Sequence, residues 1–418
     1  MTINDAGVSR PAIPLAASVA LVTTLGSIYM VSQFLRNSIG VIAPNLAAEL
    51  SMSASEIGLL SSTFFFAFAA AQIPLGIALD RYGPRACMLV CSAIAVAGTI
   101  IFALAEQPWA LIAARVLMGL GSSCYLMAPL ALYARRYAPD RFSMLVGLQL
   151  GLGSVGTLLA TAPLALSATA IGWRATFMVV AALVALAGIL VAVVVRADTT
   201  REPHHDETFR ESIAGIADAL RTPSILPLFL MQLAAYSSFV LIVGLWGGPY
   251  LTHIYGYDLP SRGEILFLAA GAQIIGAMAW GPADRLFGNY KTPVFIGTLL
   301  TASSLAALAI FGAMPVLWLI VCFVGVGFSS AYTSVLIAHG KSLFPPRLVG
   351  RGMTLLNMGT MGGVFFTQSI SGFVIDLFPA VNGAYPLTAY RIVFAIQVLF
   401  LIVAGLAYLR ARDPRRQS

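Results

Sequence analysis

The chain of 418 residues is built from twelve apolar stretches joined by short polar segments, and each stretch has the length a helix needs to cross ~30 Å of hydrocarbon. They run at residues 14–44, 54–79, 86–105, 108–133, 142–168, 173–195, 223–252, 263–283, 292–312, 314–338, 350–375 and 389–409. In a bilayer every backbone N–H and C=O must be paired within its own segment, so stretches of this kind fold as helices. Composition agrees, with 59% hydrophobic and 10% charged residues against ~45–50% and ~25% in soluble domains. The expected fold is an all-α polytopic membrane protein with twelve transmembrane helices, and the water-soluble enzyme classes are excluded. A membrane enzyme would need a nucleophile with its base, paired acids or a metal cluster at membrane depth, and the spans supply none of these.

The stretches fall as six and six. Residues 1–195 are expected to form an N-terminal six-helix bundle, 196–222 a cytoplasmic linker, and 223–418 a C-terminal six-helix bundle related to the first by pseudo-two-fold symmetry. The linker carries both charge signs, His204, His205 and a short amphipathic helix. The net charge of +7, from 24 Lys+Arg against 17 Asp+Glu, is concentrated in alternate loops. One side collects Arg10, Arg81, Arg85, Arg135, Arg136, Arg141, Arg196, Arg201, Arg210, Arg221, Arg285, Lys291, Lys341, Arg347, Arg351, Arg410, Arg412, Arg415 and Arg416. The other keeps Arg174, Arg262 and Arg391. Basic residues in short loops stay cytoplasmic, so both termini are expected in the cytoplasm of a plasma (inner) membrane protein, and nucleic acid is not needed to explain the charge. Cys87, Cys91, Cys124 and Cys322 fall inside apolar runs without ligand spacing, so neither a metal nor a cofactor is expected. The opening MTINDAGVSR lacks the pattern of a cleaved leader, so the first span is expected to remain in the mature chain.

The halves repeat a motif. After the second span the chain reads GIALDRYGPR, from Gly76 to Arg85, and after the eighth GPADRLFGNYK, from Gly281 to Lys291. A short loop with an acid, then bases, then a glycine can latch two halves and release them, because its charged contacts can form in one arrangement and break in another. Gly76, Asp80, Arg81, Gly83 and Arg85, the echo at Gly281, Asp284, Arg285, Gly288 and Lys291, and RVLMGLG from Arg115 to Gly121 resemble the signature motifs of the major facilitator superfamily. That resemblance covers the whole chain in topology and implies a transporter working by alternating access. Pro84 stands where many members have a basic residue.

Two arginines lie within spans, where a charge costs ~2.5–3.5 kcal/mol on insertion scales. Tyr29, Gln33, Arg36, Asn37 and Gly40 recur at three- and four-residue spacing and share one helix face, expected to point into the bundle. Arg115 lies in the fourth span, close to Gly119 and Gly121, and is read as a second solute contact or as part of the gate or the helix packing. A guanidinium offers a planar fork of donors matched to carboxylate or phosphate, so the solute is expected to be a small organic anion or amino acid. The segment from Tyr29 to Leu46 resembles the first span of the organophosphate antiporters and anion:cation symporters, which implies anion binding by Arg36. RNSIGVIAP with the following LLSSTFFFAFAAAQIPLG is similar to a group of amino-acid transporters of intracellular pathogens. The seventh span, QLAAYSSFVLIVGLWGGPYL from Gln232, has no charge, which favours a monoanion or zwitterion over a doubly charged phosphate ester.

Tyr125, Gln149, Gln232, Tyr236, Trp246, Gln273, Trp280, Tyr332, Asn357, Thr360 and Gln368 are the polar and aromatic candidates for the rest of the lining. Gln232, Tyr236, Trp246 and Tyr250 follow helical spacing. Gly147, Gly151, Gly153 and Gly156 thin the fifth span so that it can slide or bend against a neighbour. The acids Glu49, Glu56, Glu106, Asp258, Glu264 and Asp376 lie near outer ends, which favours exchange or facilitated diffusion over proton symport. The partners implied are a small solute, the bilayer and either a coupling proton or a counter-solute, with the protein itself a monomer. The competing reading is export of amphipathic compounds through Trp246, Tyr236 and Phe239 without either arginine.

Overall fold

The computed structural model describes residues 15–196, 209–345 and 348–414. Arg10, Arg201, His204, His205, Arg347, Arg415 and Arg416, most of the linker and the opening decapeptide lie outside the described residues. Among the described residues nine helices are long and apolar enough to cross a membrane. One of them, Ala54–Leu104, has 51 residues and holds two crossings.

Span 1 is Leu15–Asn37 continued by Ile39–Leu50. Spans 2 and 3 share Ala54–Leu104, which begins with a capping box between Ser53 and Glu56 and folds back at Gly83. Gly83 has φ +81°, a conformation that costs a residue with a Cβ, so the motif glycine is where the chain turns. Span 4 is Pro108–Ser122 with Met127–Arg136, and span 5 is Pro139–Leu159 continuing into Ala162–Val194, whose break at Gly172 starts span 6. A short helix, Phe209–Leu220, precedes span 7. Span 7 runs Ile225–Leu241, a π-helical turn Ile242–Trp246, and Gly247–Tyr255. Span 8 is Leu259–Trp280, span 9 Lys291–Phe311, span 10 Val316–Ser330 with Thr333–Leu343, span 11 Val349–Asp376 and span 12 Leu387–Tyr408.

The two sets of six repeat in detail. Spans 1 and 7 are both interrupted, and spans 4 and 10 both break after a first piece of 15 residues that ends in serine. Interrupted helices at matching places free backbone groups inside the bundle, where a site or a moving joint can use them. The repeat extends to side chains that cap helix ends. Arg85 at the start of span 3 donates to the Ala192 carbonyl near the end of span 6 at 2.8 Å, and Lys291 at the start of span 9 donates to Leu409 beyond span 12 at 2.9 Å. At the other end, Arg174 on span 6 donates to Ala105 after span 3 at 2.8 Å, and Arg391 on span 12 donates to Ala309 of span 9 at 2.6 Å. Each places a cation on the negative end of a helix dipole.

The halves are clasped on the face opposite the linker. Gly40 of span 1 packs so tightly on span 7 that an added Cβ would collide with the Val243 carbonyl, and one at Gly248 would collide with the Gly40 carbonyl. Arg262 of span 8, buried, donates to the Val41 carbonyl of span 1 at 2.8 Å, to Asn45 Oδ1 and to Thr252 Oγ1. The Tyr385 hydroxyl accepts from the Ala54 N–H at 2.9 Å and donates to Asp376. Ser369 of span 11 donates to Ser62 of span 2 at 2.9 Å. Toward the linker, Gly76, Gly147, Gly151 and Gly350 have open space where a side chain would be.

Candidate functional site

Two phenylalanines on span 2, one turn apart, each carry an arginine. Phe64 and Phe68 stack with centroids 6.4 Å apart and planes 20° from parallel. The Arg36 guanidinium lies 4.8 Å above Phe68 and that of Arg115 lies 4.6 Å above Phe64. Both arginines are buried, and they differ in what accepts their hydrogen bonds.

Arg115 donates from Nε to the Leu60 carbonyl at 3.3 Å and from Nη1 to the Leu35 carbonyl at 2.5 Å. The Leu35 carbonyl lies where span 1 is interrupted after Asn37, so Arg115 ties spans 1, 2 and 4 together at the break. The glycines beside it do what small residues do in membranes. An added Cβ at Gly119 would collide with the Phe64 carbonyl, and one at Gly121 with the Ala95 N–H. Arg36, 5% exposed, has its Nε sealed from water with no acceptor among the described residues, and no described protein group accepts from the rest of its guanidinium. It is turned into the protein and not toward lipid headgroups.

The residues of span 1 that spacing groups together turn to different neighbours, Arg36 to span 2, Tyr29 to span 5, and Asn37 and Gly40 to span 7. The Tyr29 ring packs on Gly153 of span 5, within electrostatic range of Arg36 and of Tyr236 on span 7. Asn37 is fully buried, donates to the Gln33 carbonyl at 2.9 Å and keeps an unpaired Oδ1, as Gln33 keeps an unpaired Oε1. Gln232 on span 7 is buried with a free Oε1, and Gln368 on span 11 is buried with both amide atoms free. Trp246 donates from Nε1 to Ser371 at 2.7 Å, joining span 7 to span 11. The Gln368 carbonyl lies against Gly58 of span 2. Span 1 thus meets span 2 at Arg36 and Phe68 and span 7 at Gly40 and Val243, while span 11 meets span 7 at Ser371 and span 2 at Gln368. Asn357 is half-buried on span 11, toward the linker.

Other candidates point elsewhere. Tyr125 donates to Ser92 of span 3 at 3.0 Å inside the first half. Gln149 accepts from Tyr133 at 2.9 Å and donates to the Leu25 carbonyl at 2.9 Å, which uses its amide within spans 1, 4 and 5. Trp280 donates to the Phe328 carbonyl at 3.1 Å between spans 8 and 10. Phe64 and Phe68, the shelf under both guanidiniums, and Arg262, the cross-half tie, had no assigned part in the sequence reading. The phenylalanine cluster of span 2 was the available signal for the shelf, because aromatic faces attract cations.

Of the repeated motif, Gly76 has open space beside it, Asp80 and Arg81 are exposed, and Arg81 lies 5.4 Å over the ring of Tyr82. Arg85 donates to a helix-end carbonyl, and no carboxylate partners it among the described residues. In the second copy Asp284 is buried, Arg285 exposed, and Gly288 turns the chain at φ +64°. Asp413 near the chain end accepts from the Tyr290 and Lys291 N–H groups at 2.9 and 3.1 Å, capping span 9.

The Major Facilitator Superfamily model matches residues 25–261 and 228–418, one stretch for each half. The chain belongs to that superfamily. This member is similar to a gentisate transporter of Corynebacterium glutamicum, 26% identical over 362 residues, 83% of this chain and 79% of the relative. It is similar to a hexuronate transporter of Bacillus subtilis, 22% identical over 86% of this chain and 88% of the relative. The Escherichia coli membrane sensor protein UhpC is 25% identical over 66% of this chain and 68% of its own length. In fold it resembles a point mutant of the nucleoside transporter NupG, with TM-score 0.77, 16% identity and coverage of 93% of this chain and 99% of the other. It also resembles an inward-facing, unoccupied bacterial homologue of the lysosomal transporter Spinster, with TM-score 0.76, 19% identity and coverage of 95% and 97%. The protein is a membrane-embedded superfamily transporter of small solutes with the twelve-helix fold.

Proposed function

We propose that this transporter carries a small organic anion by alternating access, with Arg36 as the principal anion contact. The observation that carries the reading is a buried guanidinium spread over Phe68, without a protein acceptor among the described residues, on the span whose next turn packs against the other half at Gly40 and Val243. A buried cation is costly unless something pairs with it, and a mobile carboxylate is the group that can pair with it and leave. Names of two relatives, a gentisate and a hexuronate transporter, support an anionic cargo. Tyr29, Gln33, Asn37, Gln232, Tyr236, Trp246 and Asn357 complete the proposed solute site, and Arg115 serves by holding span 1 at its break. The rocking units are residues 1–195 and 223–418, joined by the linker at 196–222, with the motif loops as latches. The linker face, rich in Lys and Arg, is the cytoplasmic face of the inner membrane. The cargo moves by facilitated diffusion or against a counter-solute, through a monomer.

Arg36→Lys tests this. An ammonium keeps the charge and loses the fork. In proteoliposome counterflow with a panel of carboxylates, the variant is expected to lose about tenfold or more of its flux, at two charge-assisted bonds of ~1.5–3 kcal/mol each in the parent, while remaining monodisperse. Undiminished flux would remove Arg36 from the site.

A further inference from the structure

Two side-chain ties that close the far face end at one histidine. His253 lies in the last turn of span 7 and is half-buried, within reach of water on the linker-free face. Its Nδ1 faces two donors, the Tyr390 hydroxyl at 2.6 Å and the Tyr385 N–H at 3.4 Å. A backbone N–H can only donate, so Nδ1 carries its lone pair and the ring proton sits on Nε2. Tyr385 is the outer-loop residue whose hydroxyl accepts from the Ala54 N–H of the other half and donates to Asp376. Thr252, the residue before His253, accepts from Arg262, which reaches across to Val41 and Asn45. One tie thus touches His253 itself and the other its chain neighbour.

Charge around the ring is one-sided. Arg262 of span 8 is within electrostatic range of His253. The acids of the far face are engaged elsewhere: Asp258 with the Ser261 N–H, Asp376 with the Tyr385 hydroxyl, Glu56 with the Ser53 N–H, and Glu49 with Trp173 and Arg174. Arg391 of span 12 turns away to the Ala309 and Ile310 carbonyls, and Tyr250 and Tyr255 of span 7 donate to the Gly312 and Met314 carbonyls. A cation at position 253 therefore meets a guanidinium and no carboxylate among the described residues. His339 of span 10 makes the contrast. It is fully buried, its Nδ1 meets the Tyr408 hydroxyl at 2.7 Å, its Nε2 meets the Arg412 carbonyl at 2.8 Å, and its ring lies flat against Tyr290. Both nitrogens of that ring are occupied and water does not reach it.

We propose that His253 is a proton-operated release for the outer gate. Histidine is the side chain whose charge changes between about pH 5 and 8. Neutral, its Nδ1 holds the Tyr385 N–H and keeps the Tyr385 hydroxyl on Ala54. A proton on Nδ1 sets a donor against a donor and puts a second positive charge beside Arg262, so both ties weaken together and the far face opens. His253 stays on the linker-free side of the clasp in either arrangement. The proton returns to the side it came from, and acid regulates access without being carried across.

The test uses the full chain in nanodiscs, without its four native cysteines, and with spin labels at the exposed positions Ala48 of span 1 and Glu264 of span 8. Distances across the outer face are measured from about pH 8 down to about pH 5. The ratio of open to closed populations is expected to rise about tenfold or more on acidification. His253→Gln, uncharged throughout and still able to accept from the Tyr385 N–H, is expected to stay closed, with a change under about twofold. His253→Arg, a fixed charge, is expected to be open at every pH. His339→Gln is expected to keep the parent's response. Should His253→Gln fold poorly, Tyr385→Phe cuts the tie to Ala54 and is expected to open the face at neutral pH and to shrink the response to acid. A parent without a response, a response that survives His253→Gln, or one abolished by His339→Gln overturns the proposal. Tyr385→Phe that stays closed with the parent's response overturns the route through Tyr385. None of these readouts depends on the cargo or on Arg36.

Discussion

Arg36 and Arg115 rest on adjacent stacked rings of the same helix, at 4.8 and 4.6 Å, and both are almost wholly removed from water. Arg115 holds two backbone carbonyls, one of them beside the interruption of span 1. Arg36, one residue along from that carbonyl, holds no protein acceptor among the described residues. The same charge, shelf and burial therefore give two different devices. A guanidinium whose acceptors are built into the backbone is a structural tie, and one without a protein acceptor is left for the solute contact proposed above.

The largest expected effect separates these directly. Arg36→Leu should abolish organic-anion counterflow, by about 10²-fold or more, while its unfolding temperature in detergent stays at or above that of the parent. Arg115→Leu should instead lower stability by about 2–4 kcal/mol, because the Leu35 and Leu60 carbonyls lose their donors. Equal losses of stability in the two variants would break the comparison.

Next in size is the clasp above Arg36. Gly40→Val puts a branched side chain where the Val243 carbonyl lies, so the far face should open. In a background without the four native cysteines, a reporter Arg36→Cys should then react with an impermeant thiol reagent from the linker-free face at least about tenfold faster, as a gate shift of ~1.4 kcal/mol or more would give. The same reporter in place of Arg115 should remain unreactive. Arg262→Gln removes the tie to Val41 and Asn45 and should shift the gate in the same direction by about 1–3 kcal/mol, read as a distance change between labels on spans 1 and 8.

Smaller again is the shelf. Phe68→Leu should weaken anion binding by about 1 kcal/mol, and Phe64→Leu should lower stability by a similar amount without changing anion affinity. The smallest effect belongs to Tyr125→Phe, which loses only the bond to Ser92. It should cost about 1 kcal/mol of stability or less and leave flux unchanged.

Twelve crossings in two sets of six could be read from hydropathy because a bilayer leaves the backbone no alternative to helices. The polar face of span 1 was legible for a related reason. Gln33, Arg36 and Asn37 at helical spacing would be costly against lipid, and they do lie inside. Polarity alone could not separate Tyr125 and Gln149 from Gln232 and Gln368. All four are polar residues in apolar spans, and only the structure shows that the first two have partners within their own half while the last two keep unpaired atoms. The motif loop was legible as a charged latch, but that Arg85 takes a helix-end carbonyl, Ala192, as its acceptor is a choice the loop sequence cannot express. Arg262 was counted only as a basic residue of the far side, because its contacts with Val41 and Asn45 are more than 200 positions away in the chain.

By itself the amino-acid sequence determined the medium, the helical crossings, the repeat of six and the inward face that carries Arg36, because transfer of polar groups into hydrocarbon is so costly that pattern alone decides it. Which arginine has its acceptors supplied by the protein, which amide oxygens are buried without a donor, and on which face the halves close were decided only by tertiary structure. Those outcomes depend on where the interruptions of spans 1, 4, 7 and 10 bring freed backbone and side chains together, and local spacing holds no information about that.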